Sequence, residues 1–216
     1  MSDVKARRYN SPLREQQAAA SRAAVLAAAR ELFVDQGYGA TTIEQVAARA
    51  GVSKPTVFTA VGNKQTLLKT IRDVAMAGDD GPIPVGQRPS VQRARDAADQ
   101  QSALQEIVGH IAALQARYSP VDEVFRGAAA SGDPVLRELW RISEEQRYLG
   151  AGLLVDILLG KGPLRPGLDR STAVDVLSLF MAPDVHARLV TRRGWSETTY
   201  REWLTRTLAA QLLDGP

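Results

Sequence analysis

Apolar residues recur at three- and four-residue spacing through most of the chain and nowhere alternate with polar ones, a pattern that predicts helices and no strand. Val25, Ala29, Leu32 and Phe33 form the stripe of a first helix from about Gln17 to Gln36, closed by Gly37. Ile43, Val46, Ala47 and Ala50 share one face of a second, shorter helix. Leu67, Leu68, Ile71 and Val74 give the helix that begins at Asn63 its apolar side. Residues 78–89 hold three Pro and three Gly, and no helix runs through them. Beyond that break the pattern predicts a short helix at Ser90–Ala98 and a longer one from Gln101 to Tyr118. Another starts at Ser119-Pro120, and a long one runs from Asp133-Pro134 towards Leu159. After the loop Gly160–Gly167, a helix from Ser171 to Val190 is kinked or split by Pro183, and a last one spans Ser196 to Leu213.

The most sharply punctuated stretch is Thr41 to Lys64. Thr41 or Thr42 caps its first helix, and Thr41 with Glu44 has capping-box spacing. Gly51 supplies the left-handed residue that ends that helix, Ser53 caps the next, and Pro55 sits in the first turn, where a missing amide proton costs little. Gly62 ends this second helix and Asn63 caps the one after it. Two short helices joined by a glycine-containing turn make a helix-turn-helix, whose second helix enters the major groove of DNA.

Charge sharpens that reading. Residues 1–72 carry eleven Lys and Arg against five acids, and the remaining residues carry sixteen against nineteen. A basic N-terminal third beside a mildly acidic remainder suits one module for a polyanion and another for something else. There is no Cys, so disulfides, thiol nucleophiles and cysteine-ligated zinc are excluded. No apolar run is long enough for a signal peptide core or a membrane span, which leads us to expect a soluble cytoplasmic protein without membrane partners.

Residues 17–76 resemble the N-terminal domain of the TetR family of bacterial transcriptional repressors. The resemblance lies in Ala27-Ala28-Ala29-Arg30-Glu31-Leu32-Phe33, Gly37-Tyr38, Thr41-Thr42-Ile43, Val46-Ala47, Ala50-Gly51-Val52-Ser53, Thr56 and Asn63-Lys64, with Leu67-Leu68 behind them. It implies an all-α chain: a basic arm at 1–16, a helix-turn-helix DNA-binding domain at 17–77 (the motif itself at about 41–61), a linker at 78–89, and a helical ligand-binding and dimerisation domain at 90–216. It also implies that Thr42 and Lys64 grip phosphates on either side of the recognition helix. Lys54, Pro55, Thr56, Phe58, Thr59 and Asn63 complete the candidate DNA-binding set. Lys54, Thr56 and Thr59 stand at the exposed start of that helix, where Lys favours guanine and Thr suits a base edge or a thymine methyl. Two departures stand out. Phe58 occupies a position where the family usually carries Tyr, and Ala60-Val61 replaces His or Tyr followed by Phe.

Enzyme chemistry finds no support in the sequence. His110 and His186 lie far apart and outside any metal-ligand spacing, Gly160-Lys161-Gly162 lacks the rest of a phosphate-binding loop, and Glu144-Glu145 reads as a solvated helix face. We expect neither a catalytic residue nor a metal or other cofactor. His110, Phe125, Trp140, Tyr148 and Met181 are candidates for an effector pocket, and Trp203, Leu204 and Leu208 for a homodimer seam on the last helix. The expected function is a repressor that binds an inverted-repeat operator in double-stranded DNA as a homodimer and is released by an unknown small molecule. The alternative is a helical small-molecule-binding or scaffolding protein with weakened DNA affinity.

Overall fold

The computed structural model describes residues 12–78 and 85–214. Ten α-helices occupy these residues: α1 (Pro12–Ala40), α2 (Ile43–Ala50), α3 (Lys54–Ala60), α4 (Lys64–Ala77), α5 (Pro89–Asp96), α6 (Gln100–Ala130), α7 (Pro134–Leu159), α8 (Arg170–Phe180), α9 (Pro183–His186) and α10 (Glu197–Leu212). The basic arm falls mostly on residues 1–11, outside the described residues, but residues 12–16 expected in it are already helical. Of the proline- and glycine-rich segment, residues 79–84 also lie outside them.

The chain divides into two compact units, Met1–Ile71 and Arg72–Pro216, which assigns the last turns of α4 to the second unit. In the first, α1, α2 and α3 pack on one another around Val25, Ala29, Phe33, Val46 and Val57, with Leu67 and Leu68 of α4 also buried. Gly37 adopts φ 86° inside the span of α1, so the regular helix stops there and the next residues turn toward α2.

The second unit is a helical bundle. Leu104, Ile107, Val108 and Ile111 of α6 meet Leu154, Val155 and Leu158 of α7, Leu177 of α8, and Tyr200, Leu204, Leu208 and Leu212 of α10 in one apolar core. α6 does not break at Ser119-Pro120 as expected; Pro120 lies inside it. The bond that Pro120 cannot donate would go to the carbonyl of Ala116, an exposed residue that water can serve, while Ile107, Ile111, Val121 and Phe125 on either side are all buried. Tertiary packing therefore holds the two halves in line.

Pro183 does split the next helix, into α8 and α9. The backbone carbonyls left open at the split are satisfied from α6. Buried Gln115 donates through Nε2 to the carbonyls of Phe180 (2.9 Å) and Ala182 (3.0 Å), and Ser119 Oγ donates to that of Pro183 (3.0 Å). The Tyr200 hydroxyl in turn donates to Gln115 Oε1 at 2.8 Å. An antiparallel bridge joins Leu164 to Leu213. No helix among the described residues is long and apolar enough to cross a membrane.

Candidate functional site

Caps set the geometry of the helix-turn-helix. Thr42 is the N-cap of α2, and Thr42 and Gln45, not Thr41 and Glu44, form the capping box. Gln45 N donates to Thr42 Oγ1 at 3.2 Å, and Thr42 N donates to Gln45 Oε1 at 2.8 Å. Thr41 is buried and its hydroxyl donates to the Gly37 carbonyl (2.9 Å), which fixes the turn between α1 and α2. Both registers satisfy the same spacing rule, and burial of Thr41 selects between them.

Gly51 closes α2 at φ 67°. Ser53 caps α3, accepting from Thr56 N at 3.2 Å, with Pro55 in the first turn as expected. Asn63 Oδ1 accepts from Thr66 N at 2.9 Å and so caps α4.

On this frame Thr42, Lys54, Pro55, Phe58, Thr59 and Asn63 are exposed, and Thr56 and Lys64 are half-buried. Several are already engaged. The Lys54 ammonium pairs with Glu44 of α2, and that hydrogen bond is the main reason the Glu44 carboxyl titrates below its ordinary value. Thr56 Oγ1 lies 2.7 Å from Ser53 Oγ, and Thr59 Oγ1 donates to the Pro55 and Thr56 carbonyls (both 3.1 Å). The Thr59 methyl and hydroxyl oxygen therefore remain for an incoming partner, while its proton is spent within the helix.

Lys64 Nζ donates to the Gly39 carbonyl (3.3 Å) and sits 4.4 Å from the centre of the Tyr38 ring. Burial lowers the pKa of this lysine. Tyr38, which also contacts Phe33, thus holds Lys64 in place, a pairing that sequence separation hides. Phe58 is 46% exposed on α3 with its ring on the outer face.

The second unit contains a cavity of about 600 Å³ between the end of α4, the middle of α6, α7 and the α8–α9 break. Met76, Leu114, Leu153, Leu154, Met181 and Pro183 form much of its wall. A polar end is formed by Arg72, Asp73, Tyr118, Asp122, Glu144 and Arg147. Of the effector-pocket candidates, His110 and Met181 line this cavity. Phe125, Trp140 and Tyr148 do not. Phe125 is fully buried core with its ring 6.1 Å from that of Trp140, and Tyr148 is 43% exposed beside Asp175 of α8. Their helical spacing is shared by core, lining and surface positions, so residue type alone misassigns them.

Burial and the charges of Arg117, Arg88 and Arg93 depress His110 to about 4, so it is neutral at pH 7, with Nδ1 2.8 Å from Ser90 Oγ. Burial chiefly raises Asp122, to about 6. Arg72, Tyr118, Asp122 and Arg147 carry the polar end, and the sequence marks them only as polar residues interrupting apolar stripes, Tyr118 and Asp122 at i, i+4 on α6.

The expected dimer seam is overturned in part. Leu204 and Leu208 are fully buried within the single chain and cannot face a partner. Trp203 is half-buried in an aromatic cluster with Phe180, Trp195 and Tyr200. His186 is buried against the Tyr200 ring, its Nε2 2.9 Å from the Glu197 carboxylate. Ser119 lies 3.4 Å from its Nδ1, but that hydroxyl donates to Pro183, so the three braces α6, α9 and α10 together without an available nucleophile. No group of three or more His, Cys, Asp or Glu among the described residues is placed to hold a metal.

Residues 25–71 match the family described as bacterial regulatory proteins, tetR family. The chain is 28% identical over 158 residues to the uncharacterized HTH-type transcriptional regulator YdeS of Bacillus subtilis (strain 168), covering 71% of this chain and 72% of that one. Its fold is similar to that of NalD, the secondary repressor of the MexAB-OprM multidrug efflux pump in Pseudomonas aeruginosa. That match has a TM-score of 0.65 at 20% identity and covers 91% of this chain and 98% of that one. It is similar also to SmeT in complex with triclosan, with a TM-score of 0.67 at 18% identity over 90% and 92% of the two chains.

Proposed function

From an N-terminal domain of the TetR family, we propose that this protein is a sequence-specific transcriptional repressor that leaves its operator when a small molecule fills the C-terminal cavity. The observation that carries the DNA-binding part is the α2–turn–α3 unit, with Lys54, Pro55 and Thr59 exposed at the start and outer face of α3. Thr42 and Lys64 stand at or beside the N-termini of α2 and α4, where free amides and partial positive charge favour phosphate oxygens. Lys54 exchanges Glu44 for a base or phosphate on binding, a small cost for an exposed pair.

Effector control is supported by the cavity and by α4. This one helix carries Lys64 at its start and Arg72 and Met76 on the cavity wall. A ligand that displaces the wall therefore acts on the same helix that carries a candidate phosphate contact. The protein works as a homodimer, because a two-fold operator places half-sites about 34–36 Å apart and a shift of a few Å breaks register. Its dimer face excludes Leu204 and Leu208; the exposed apolar side chains of the second unit include Leu179 on α8.

The test is a gel shift with DNA flanking its own gene at two salt concentrations. A preferred inverted repeat should emerge, with each neutralised phosphate steepening the log–log salt slope by about 0.9. Lys64→Ala should weaken all sequences alike, whereas Lys54→Ala should relax preference at particular base pairs by about 1–3 kcal/mol. Equal binding to promoter fragments and random duplex would end this reading.

A further inference from the structure

The polar end of the C-terminal cavity is not in balance. Arg72 is 5% exposed; its Nη1 donates to Asp73 (2.7 Å) and its Nη2 to Gln146 (2.8 Å), but its Nε is enclosed with no acceptor. Arg147 gives both terminal nitrogens to Glu144, and its Nε is likewise enclosed without an acceptor. The Tyr118 hydroxyl, in a residue 4% exposed, stands against Arg72 and Asp122 and interacts with both, but neither contact reaches full hydrogen-bond geometry. Buried donors of this kind are costly when unmet and are rare in folded proteins. What the three lack is an acceptor in good hydrogen-bond geometry.

The charges on the cavity wall balance in number, and the arginines beside the wall tip the surroundings positive. Arg72, Arg88 and Arg147 line the cavity against Asp73, Asp122 and Glu144, and Arg117 and Arg126 stand close by. Asp73 and Glu144 are already occupied by Arg72 and Arg147. The rest of the wall, including Met76, Leu149, Leu153 and Met181, offers hydrocarbon.

We infer that this cavity takes an amphipathic monoanion, a medium-length alkyl carboxylate, with its head on Arg72, Tyr118 and Arg147 and its chain along Met76, Leu149, Leu153 and Met181. The inference rests on the reading of the second unit as an effector domain. A carboxylate brings two oxygens with about four lone-pair directions, enough for all three donors. Hydrogen bonds from charged donors are also the stronger kind. Asp122 does not oppose such a ligand. It is faced by Tyr118 and Arg126 from α6, Glu144 and Arg147 from α7, and Arg72 from α4, and its carboxyl titrates at about 6. A second anion raises it further, and the protonated acid then donates to the ligand. Binding therefore takes up a proton and tightens as pH falls from about 8 to about 6.

Titration calorimetry of the full chain, without DNA, with decanoate, decan-1-ol and decyltrimethylammonium tests this. Decanoate should bind at least roughly tenfold tighter than either of the others and should tighten on acidification. Tyr118→Phe, which removes an unmet hydroxyl and leaves the apo fold intact, should weaken decanoate by roughly tenfold and leave decan-1-ol unchanged. Equal affinity for all three probes, tighter binding of the ammonium with its loss in Asp122→Asn, or no binding of decanoate would each overturn the proposal. Operator release is read separately. Decanoate that binds yet leaves the DNA complex intact would sink the effector reading and spare the ligand class, and an ammonium that binds and releases DNA would do the reverse.

Discussion

Lys54 and Arg72 are both basic side chains tied to a nearby carboxylate, Lys54 to Glu44 and Arg72 to Asp73, yet they live in different solvents. The side chains of the first pair are 51% and 61% exposed, whereas that of Arg72 is 6% exposed. In water such a pair forms and breaks at little cost, so Lys54 is free to leave Glu44 for the nucleic acid proposed as its partner. Under the helices of the second unit the same exchange would strand a charge, so Arg72 changes partner only when the cavity contents change. One unit keeps its candidate contact groups outside on a locally specified frame. The other keeps them inside, where every group is coupled to packing.

The comparison breaks most visibly at Leu204. If the second unit is held by its interior as described, Leu204→Asp buries an unpaired charge at a cost of several kcal/mol and should abolish the helical circular dichroism of that unit. A folded monomer by analytical ultracentrifugation would instead place Leu204 at a subunit seam.

A smaller effect of opposite sign is expected at Asp122, whose carboxyl is raised from 3.8 to about 6. A raised folded-state pKa means that the folded chain holds the proton more tightly, so this group favours folding below about pH 4. That contribution is lost as pH rises through about 6, where the buried carboxylate becomes a burden. Asp122→Asn should thus stabilise the protein on the order of 2–3 kcal/mol at pH 8 in urea unfolding, with the advantage gone below about pH 4. A gain independent of pH would show that the carboxyl is not the source.

These two sites show what could be read in advance. The α2–turn–α3 unit was legible because Gly51, Ser53, Pro55 and Asn63 act on residues no more than five positions away, and such rules are written in consecutive letters. The cavity was legible only at His110 and Met181, because Arg72 meets Gln146 seventy-four residues on and Gln115 meets the α8–α9 break more than sixty away. The same reason explains α6, where packing overrules Pro120, and Leu204 and Leu208, whose stripe is the same for an inner and an outer neighbour. Even in the first unit, Thr41 and Thr42 offered two capping registers that only burial could separate.

Thr42→Ala sharpens that last point: it should cost the first unit about 1 kcal/mol in thermal or urea unfolding. No loss would return the cap to Thr41. The smallest effect on stability is expected from Glu44→Gln, which releases an exposed lysine and should leave the melting temperature unchanged. It should nevertheless tighten DNA binding in fluorescence anisotropy, because Lys54 no longer has a carboxylate to leave. Unchanged or weaker binding would show that Glu44 positions Lys54 instead of competing for it.

The bridge between Leu164 and Leu213 bears on how the last helix comes apart. Arg165 N donates to the Leu212 carbonyl at 3.0 Å and Arg165 Nη1 to that of Ala210 at 3.1 Å, so two of the final carbonyls of α10 have partners outside the helix. A helix end normally frays and exchanges its amide protons early. Here the loop after α7 is sewn to that end. Fraying α10 must also unstitch Leu164 and expose Leu212 and Leu213, so the terminal amides should exchange on the timescale of the bundle interior, not that of a loose end.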